Sequence, residues 1–402
     1  MGQTILYSAA IVIIFGIIIV FHEAGHFFVA KMKGIKIHEF ALGMGPVLFS
    51  VTRKETQYSL RIVPVGGFVR VAGMEPDDPD PEGFNSKPWG QRTAVIAAGP
   101  IMNILLAAII FFLIYGVFGI PSETTNVVEK AITGKPAAAA GIQSGDRLVS
   151  VNGVPSEVAP ALLNKAHTFV KELKLSPERS NHTWETVRNS MREEQFDKMR
   201  EQIQESPGKP VALVLLRNGK QFTLSVVPEK KRITQEPELD KQGEMIGAKE
   251  VNKWIGQIGV VFQFKREHLS LGSAMMTGVQ QTWDTISGIL QGFGWIFQGK
   301  AKADVAGPVG IVTMMYEQAQ SSWLSFLQFA GMFNVMIAFM NLLPFPALDG
   351  SRIVFIIIEA IRRRPIDPRK EALVHTVGLV ILLLLVLLVT VNDIWIRWIK
   401  PQ

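Results

Sequence analysis

The stretch Ile5-Leu-Tyr-Ser-Ala-Ala-Ile-Val-Ile-Ile-Phe-Gly-Ile-Ile-Ile-Val-Phe21 runs without a break into His22-Glu23-Ala24-Gly25-His26 and then Phe27-Phe-Val-Ala30. An apolar run of ~20 residues is long enough to cross a bilayer as a helix. Placing a charge at the centre of such a helix costs roughly 2.5–3.5 kcal/mol on insertion scales, so ionisable residues there mark function. Positions i and i+4 lie one turn apart on the same helical face, so both imidazoles can reach one ion. Glu23 is one residue on, placed to take a proton from water at that ion. His-Glu-x-x-His on a helix is a zinc-binding pattern in which the glutamate serves as general base. The competing role is a pair of interfacial histidines near a helix end, hydrogen-bonded to headgroups.

Outward from this stretch, three further runs approach or exceed the spanning length: Ala94–Phe118, Trp323–Leu343 and Ala372–Val391. With residues 5–30 they give four expected spans. No Lys or Arg precedes the first run and no small-residue cleavage site follows it, so it is expected to be retained rather than cleaved as a signal peptide. Basic residues set the direction. Lys31, Lys33, Lys36, Arg53, Lys54, Arg61, Arg70, Lys87 and Arg92 lie between spans one and two, and Arg352, Arg362, Arg363, Arg364, Arg369 and Lys370 between spans three and four. The tail after span four holds only Arg397 and Lys400. Both basic loops therefore belong inside, with both termini and the long middle region outside. An anionic-lipid site is the alternative use of the Arg-rich cluster. Residues 270–300 carry Met275, Val279, Trp283, Ile286, Leu290, Phe293 and Phe297 on one stripe and Gln280, Gln281, Asp284 and Gln291 opposite, an amphipathic helix expected to lie on the membrane.

Composition agrees with a membrane chain. Of 402 residues 48% are hydrophobic and 19% charged, and the net charge is 41 − 35 = +6. Cysteine is absent, which excludes disulfides, thiolate zinc sites and Cys nucleophiles. A metal must therefore rest on His and carboxylates. The small basic excess gives no reason to expect nucleic acid.

Three blocks follow: a membrane half over 1–121 with a membrane-associated loop at 31–93, an extracytoplasmic region over 122–264, and a second membrane half over 265–402. In the middle block Gly145-Asp-Arg-Leu-Val-Ser-Val-Asn-Gly153 reads as turn, strand, turn, and Val211–Val227 as a hairpin with Asn218-Gly219 in a type I′ turn. Residues 160–207 between them are charged and expected to be helical. Gly134-Lys-Pro-Ala-Ala-Ala-Ala-Gly141 with Gly145-Asp146-Arg147 resembles one PDZ domain over about 126–228, a fold that binds extended peptides or chain ends at a strand edge. A small β spacer is the plainer alternative.

A catalytic zinc keeps one position open and needs a third protein ligand. Asn341-Leu-Leu-Pro-Phe-Pro-Ala-Leu-Asp349-Gly350 ends span three, and Asp349 is the carboxylate nearest its end. Span one carries His22 about 26 Å inward from Ile5 at 1.5 Å per residue, and span three delivers Asp349 to the same side. Pro344 and Pro346 free backbone that must be buried in protein or line a wet cavity. His375, in span four, is the rival ligand. Tyr58 to Val71 alternates about Gly66-Gly67 and reads as a hairpin turning there, with an edge that could pair with an unwound substrate.

The combination resembles the site-2 protease family of intramembrane zinc metalloproteases, and within it the bacterial regulator-of-sigma-E protease type. The resemblance rests on His22-Glu-Ala-Gly-His26, Pro64-Val-Gly-Gly-Phe68, Ala98-Gly-Pro-Ile-Met-Asn103, Gly307-Pro-Val-Gly-Ile311 and Asn341 to Gly350, in the family's order over nearly the whole chain. It implies zinc on His22, His26 and Asp349, with Glu23 as general base and later acid. It also implies substrate contacts from Asn341 and from Gly66, Gly67 and Phe68 beside the active site. Ser351 stands where many members have a second glycine, and one PDZ replaces the tandem pair of the best-known type. The implied fold is a polytopic α-helical membrane protein of four transmembrane helices, with an inserted PDZ-like α/β domain and a cytoplasmic membrane-associated β-hairpin. The implied setting is the bacterial inner membrane, with single-span membrane proteins as substrates, such as anti-sigma factors or signal-peptide remnants. A peptide or chain end would occupy the PDZ domain. The alternative, a non-catalytic PDZ-bearing adaptor, has no use for Glu23. Metal transport would want ionisable residues in several spans at mid-depth, and the sequence lacks them.

Overall fold

The computed structural model describes residues 2–75, 78, 80–173, 176–240, 245–301 and 306–395, so Arg397 and Lys400 lie outside the described residues. The chain divides into two compact units. One, the membrane unit, comprises Met1–Val117, Leu269–Gly294 and Ala303–Gln402. The other, the β unit, comprises Phe118–His268 with Trp295–Lys302.

The membrane unit begins with helix α1, Gly2–Met32. Gly34 stops it in the left-handed region at φ 67°, and Ile35 N–H closes back on Ala30 O at 3.0 Å. Strands β1 (Ile37–Arg53) and β2 (Thr56–Val71) follow, antiparallel, turning at Lys54-Glu55. The hairpin is therefore present, but its turn is not at Gly66-Gly67. Those glycines lie inside β2, where Gly66 at φ 91° makes an irregularity of the strand rather than its end. A left-handed glycine in an alternating stretch serves a bulge as readily as a turn, which is why the sequence misplaced it. The two strands also pair twice. Ala41 faces both Ser59 and Phe68, and Leu42 both Leu60 and Gly67, so the first half of β1 lies between two stretches of β2. Glu39, 5% exposed, is held there by Ser59 Oγ–H at 2.5 Å and Arg61 at 2.7 Å. Leu48, Phe49 and Ile62 remain exposed, an apolar surface suited to lipid. Helix α2, Trp89–Phe118, carries Pro100 within it.

The β unit contains β3 (Ile120–Ala131), α3 (Pro136–Ala139), β4 (Arg147–Val151), β5 (Val154–Pro155), α4 (Pro160–Glu172) and α5 (Pro177–Gln204). It continues through β6 (Val211–Arg217), β7 (Lys220–Val226), β8 (Glu229–Leu239), β9 (Met245–Gln257) and β10 (Val260–Glu267). The main sheet runs β10-β3-β4-β6-β7 with β5 beside β4, while β8 and β9 pair separately. Val128, Val151, Leu213 and Leu215 fill its core, and α5 adds Met199. Asn218 and Gly219 both take positive φ in the β6–β7 turn, as the Asn-Gly pair requires. The sheet takes in β10, well past residue 228, so the β fold draws on more chain than the PDZ-like stretch read from sequence. Asp146, 1% exposed at its side chain, accepts two bonds from Arg217 at 2.6 and 2.7 Å, and the guanidinium holds its carboxyl below the ordinary range.

Back in the membrane unit, α6 (Leu271–Phe297) is followed by α7 (Pro308–Ser321), α8 (Trp323–Leu342), α9 (Asp349–Arg362) and α10 (Pro368–Ile394). Four helices among the described residues are long and apolar enough to cross a membrane: Gly2–Met32, Trp89–Phe118, Trp323–Leu342 and Arg369–Ile394. The amphipathic α6 packs on its small face, not its apolar one. Ala274, Gly278 and Thr282 are buried, a Cβ on Gly278 would meet Phe112 N of α2 at 2.7 Å, and Met275 and Trp283 stay exposed. In α10 the buried residues are Gly378 and Asp393 alone among those described. Gly378 abuts Pro346, and Asp393 accepts from Gly310 N–H of α7 at 2.8 Å.

Candidate metal centre

α1 and α2 pass unusually close where the histidines stand. A Cβ on Gly25 would fall 2.3 Å from Ala98 O, and one on Gly99 2.3 Å from His26 Nε2. Small residues let membrane helices approach backbone to backbone, and here they do so on both sides of the contact. His26 Nδ1–H donates to Val95 O of α2 at 2.9 Å, which leaves its Nε2 with a free lone pair. His22 Nδ1 faces the side-chain amide of Asn103, 3.3 Å from Nδ2. Asn103 is fully buried, and its own backbone carbonyl accepts from Asn334 Nδ2 of α8 at 2.7 Å.

Asp349 does not end a helix. It is the first residue of α9, at the positive end of that helix, after the turn through Pro344 and Pro346. Gly350 fits beneath the end of α8, where a Cβ would lie 2.3 Å from both Leu342 O and Leu343 O. Ser351 Oγ–H caps back on Leu348 O at 2.8 Å, so serine serves the turn where a second glycine was expected.

These elements bring His22 Nε2, His26 Nε2 and Asp349 Oδ2 into a triangle with sides of 3.2, 3.1 and 3.4 Å. Among the described residues they form a group able to hold a metal ion. With zinc bonds of about 2.0–2.1 Å, the edges of a tetrahedron are about 3.3 Å. The buried Asp349 Oδ2 has no hydrogen-bond donor of its own. Two ring nitrogens and a carboxylate oxygen so arranged fit zinc, and they leave a fourth position open.

Glu23 stands beside the triangle, not in it. Gly67 of β2 packs on it, with a Cβ there 3.4 Å from Glu23 Cγ. Phe68 lies under the Arg61 guanidinium at 4.9 Å. Gly67 thus packs on Glu23, and Gly66, Gly67 and Phe68 all lie on a strand rather than a turn. Asn341 is half-buried in the last turn of α8, and its side chain makes no hydrogen bond among the described residues. His375 lies outside the triangle; its Nδ1 accepts from Ala347 N–H at 3.2 Å. Sequence reasoning passed over the contributions of Gly25, Gly99, Asn103 and Asn334. Small and amide residues inside otherwise apolar helices were the available signal.

A sequence model of peptidase family M50 matches residues 10–385. Zinc metalloprotease RasP of Geobacillus kaustophilus is 28% identical, with 98% of this chain and 99% of that protein aligned. Regulator of sigma-W protease RasP of Bacillus subtilis is 29% identical over 96% of this chain and 97% of its own length. The chain therefore belongs to peptidase family M50, the site-2 proteases, as an intramembrane zinc metalloprotease.

Proposed function

We propose that His22, His26 and Asp349 hold the zinc, that Glu23 is the proton carrier, and that the enzyme cuts membrane-spanning segments of single-span proteins. The observation that carries this is the triangle of 3.1–3.4 Å among three donor atoms. Zinc supplies Lewis-acid polarisation of the scissile carbonyl and brings the pKa of water to about 7. The chain's own residues do the rest. Val95 O fixes His26 so that Nε2 faces the site. A half-turn of the Asn103 amide sets its oxygen, otherwise unpartnered, to accept from His22 Nδ1–H and free that Nε2 too. Glu23 takes the proton of the attacking water and returns it to the leaving amine.

Helical backbone shields its carbonyls, so the substrate must be extended at the cut. The β2 stretch around Gly67, which packs on Glu23, offers strand pairing to such a segment. In this reading four spans put both termini and the β unit outside, the two Arg- and Lys-rich loops inside, and β1–β2 in the inner leaflet. The β unit is a PDZ-like selector that admits chains already trimmed outside. The Bacillus subtilis relative is named as a regulator of sigma-W, which supports membrane-anchored regulators such as anti-sigma factors as substrates.

The test is Glu23→Gln, with metal content and turnover measured on the same purified protein. Zinc stays bound and cleavage is lost; retained turnover removes Glu23 from the mechanism. Equal cleavage of long and externally trimmed substrates would leave the β unit a spacer.

A further inference from the structure

A cavity of about 920 Å³ opens at one end of the membrane unit, between the start of α2, the end of α9 and the start of α10. Its lining includes Lys87, Arg352, Arg363 and Arg364, none of which forms an ion pair among the described residues. Of the acids there, Glu359 is already engaged by Arg92 at 2.6 Å and by Ile366 N–H at 2.8 Å, and Asp367 caps α10. Glu75 and Glu371 also line it, so the uncommitted charges are four cations, Lys87, Arg352, Arg363 and Arg364, against two carboxylates.

Two residues of its lining also carry a buried donor without an acceptor. Arg92 Nε is buried and unpartnered. His375 Nδ1 accepts from Ala347 N–H, so the neutral ring carries its hydrogen on Nε2, and that atom is likewise buried and unpartnered. The nearest carboxylate, Glu371 Oε1, is 3.7 Å away, beyond hydrogen-bond distance. Orphaned buried donors are costly, and a cationic pocket at the ends of membrane helices suits an acceptor with several charged oxygens. Trp89, 58% exposed at the rim, is the residue type that sits at headgroup level.

We propose that this cavity binds one phosphate group, taken from an anionic lipid headgroup or a soluble phosphate, held by Lys87, Arg352, Arg363 and Arg364. The same His375 ring holds Ala347, which lies two residues before Asp349. If the zinc reading above is right, an occupant would thus steady the loop that carries a ligand. Binding itself does not depend on that reading.

The experiment uses the full chain in detergent, with lipid binding followed by native mass spectrometry. Phosphatidylglycerol is the probe, phosphatidylcholine the neutral control, and inorganic phosphate the competitor. One phosphatidylglycerol per chain binds preferentially, and Arg363→Gln/Arg364→Gln, at exposed positions, weakens it about tenfold or more. Arg53→Gln/Lys54→Gln, away from the cavity, leaves it unchanged. Displacement by low-millimolar phosphate assigns the site to a soluble phosphate, and its failure assigns it to the lipid. Equal binding of the two lipids, or equal binding by wild type and the cavity variant, overturns the proposal. Zinc content measured on the same samples separates this outcome from failure of the metal reading.

Discussion

Gly99→Ala tests the geometry of the metal centre without touching a ligand. The added methyl would sit 2.3 Å from His26 Nε2 and 2.9 Å from His22 Cε1, whereas ordinary contact begins at 3.4 Å. Relieving the first clash takes 3.4 − 2.3 = 1.1 Å of movement by the ring or the helix. The helix cannot slide freely, because Gly25 already meets Ala98 O across the same contact. Metal sites tolerate about 0.2 Å in ligand distance, so a shift this large removes His26 from the triangle. Alanine improves helix propensity by about 1 kcal/mol, while overpacking costs about 1–3 kcal/mol, so the fold survives with its site displaced. Misplacement by about 1 Å is enough for a loss of about 100-fold in turnover. The assay is zinc per chain and turnover on one preparation, with helix content from circular dichroism. Gly16→Ala in α1, where a Cβ meets nothing within 4 Å, is the matched control and should behave as wild type. A Gly99→Ala protein with full zinc and normal turnover would refute the close approach of α1 and α2 at the histidines.

Asp349→Asn should lower zinc affinity, since a neutral amide is a weaker ligand than a carboxylate; unchanged zinc content would move the third ligand elsewhere. Asn103→Leu should reduce zinc affinity about 10–100-fold by releasing the His22 ring, and Asn103→Asp, which still accepts from Nδ1–H, should restore most of it. Equal affinities in the two would mean that Asn103 only packs. In the β unit the Asp146 carboxyl is depressed by Arg217, so its stabilising contribution is present above the unfolded carboxyl pKa of about 3.9 and disappears as pH falls through the lower folded value. Protection factors of the β6–β7 hairpin amides in the full chain, with exchange corrected for the intrinsic rate at each pH, should therefore fall on acidification below about pH 4, and Arg217→Gln should flatten that dependence.

Legibility in the sequence followed the physics of each signal. Hydropathy alone delimits α1, α2, α8 and α10 to within a few residues, because a bilayer imposes a length that composition must meet. His22 and His26 were legible because helical spacing is local. Asp349 was legible as a residue but not as the start of α9, since Pro344 and Pro346 announce a break without saying where the next helix begins. Gly66 was misread because a left-handed glycine has the same signature in a turn and in a bulge; only the second pairing partner of Ala41 and Leu42 distinguishes them. Gly25, Gly99 and Asn103 act between helices nearly 80 residues apart in sequence, and nothing local reports that.

The fourth long helix has a further consequence for how sequence change is tolerated. α10 is fastened at Gly378, against Pro346, and at Asp393, against the start of α7, while the turns between stay largely uncovered. Between those two fastenings the chain need only remain apolar, so a saturation library there should accept almost any aliphatic residue. At 378 and 393 it should accept almost nothing. The message of this helix is written at those two positions, and the stretch between them is filler of the right solubility.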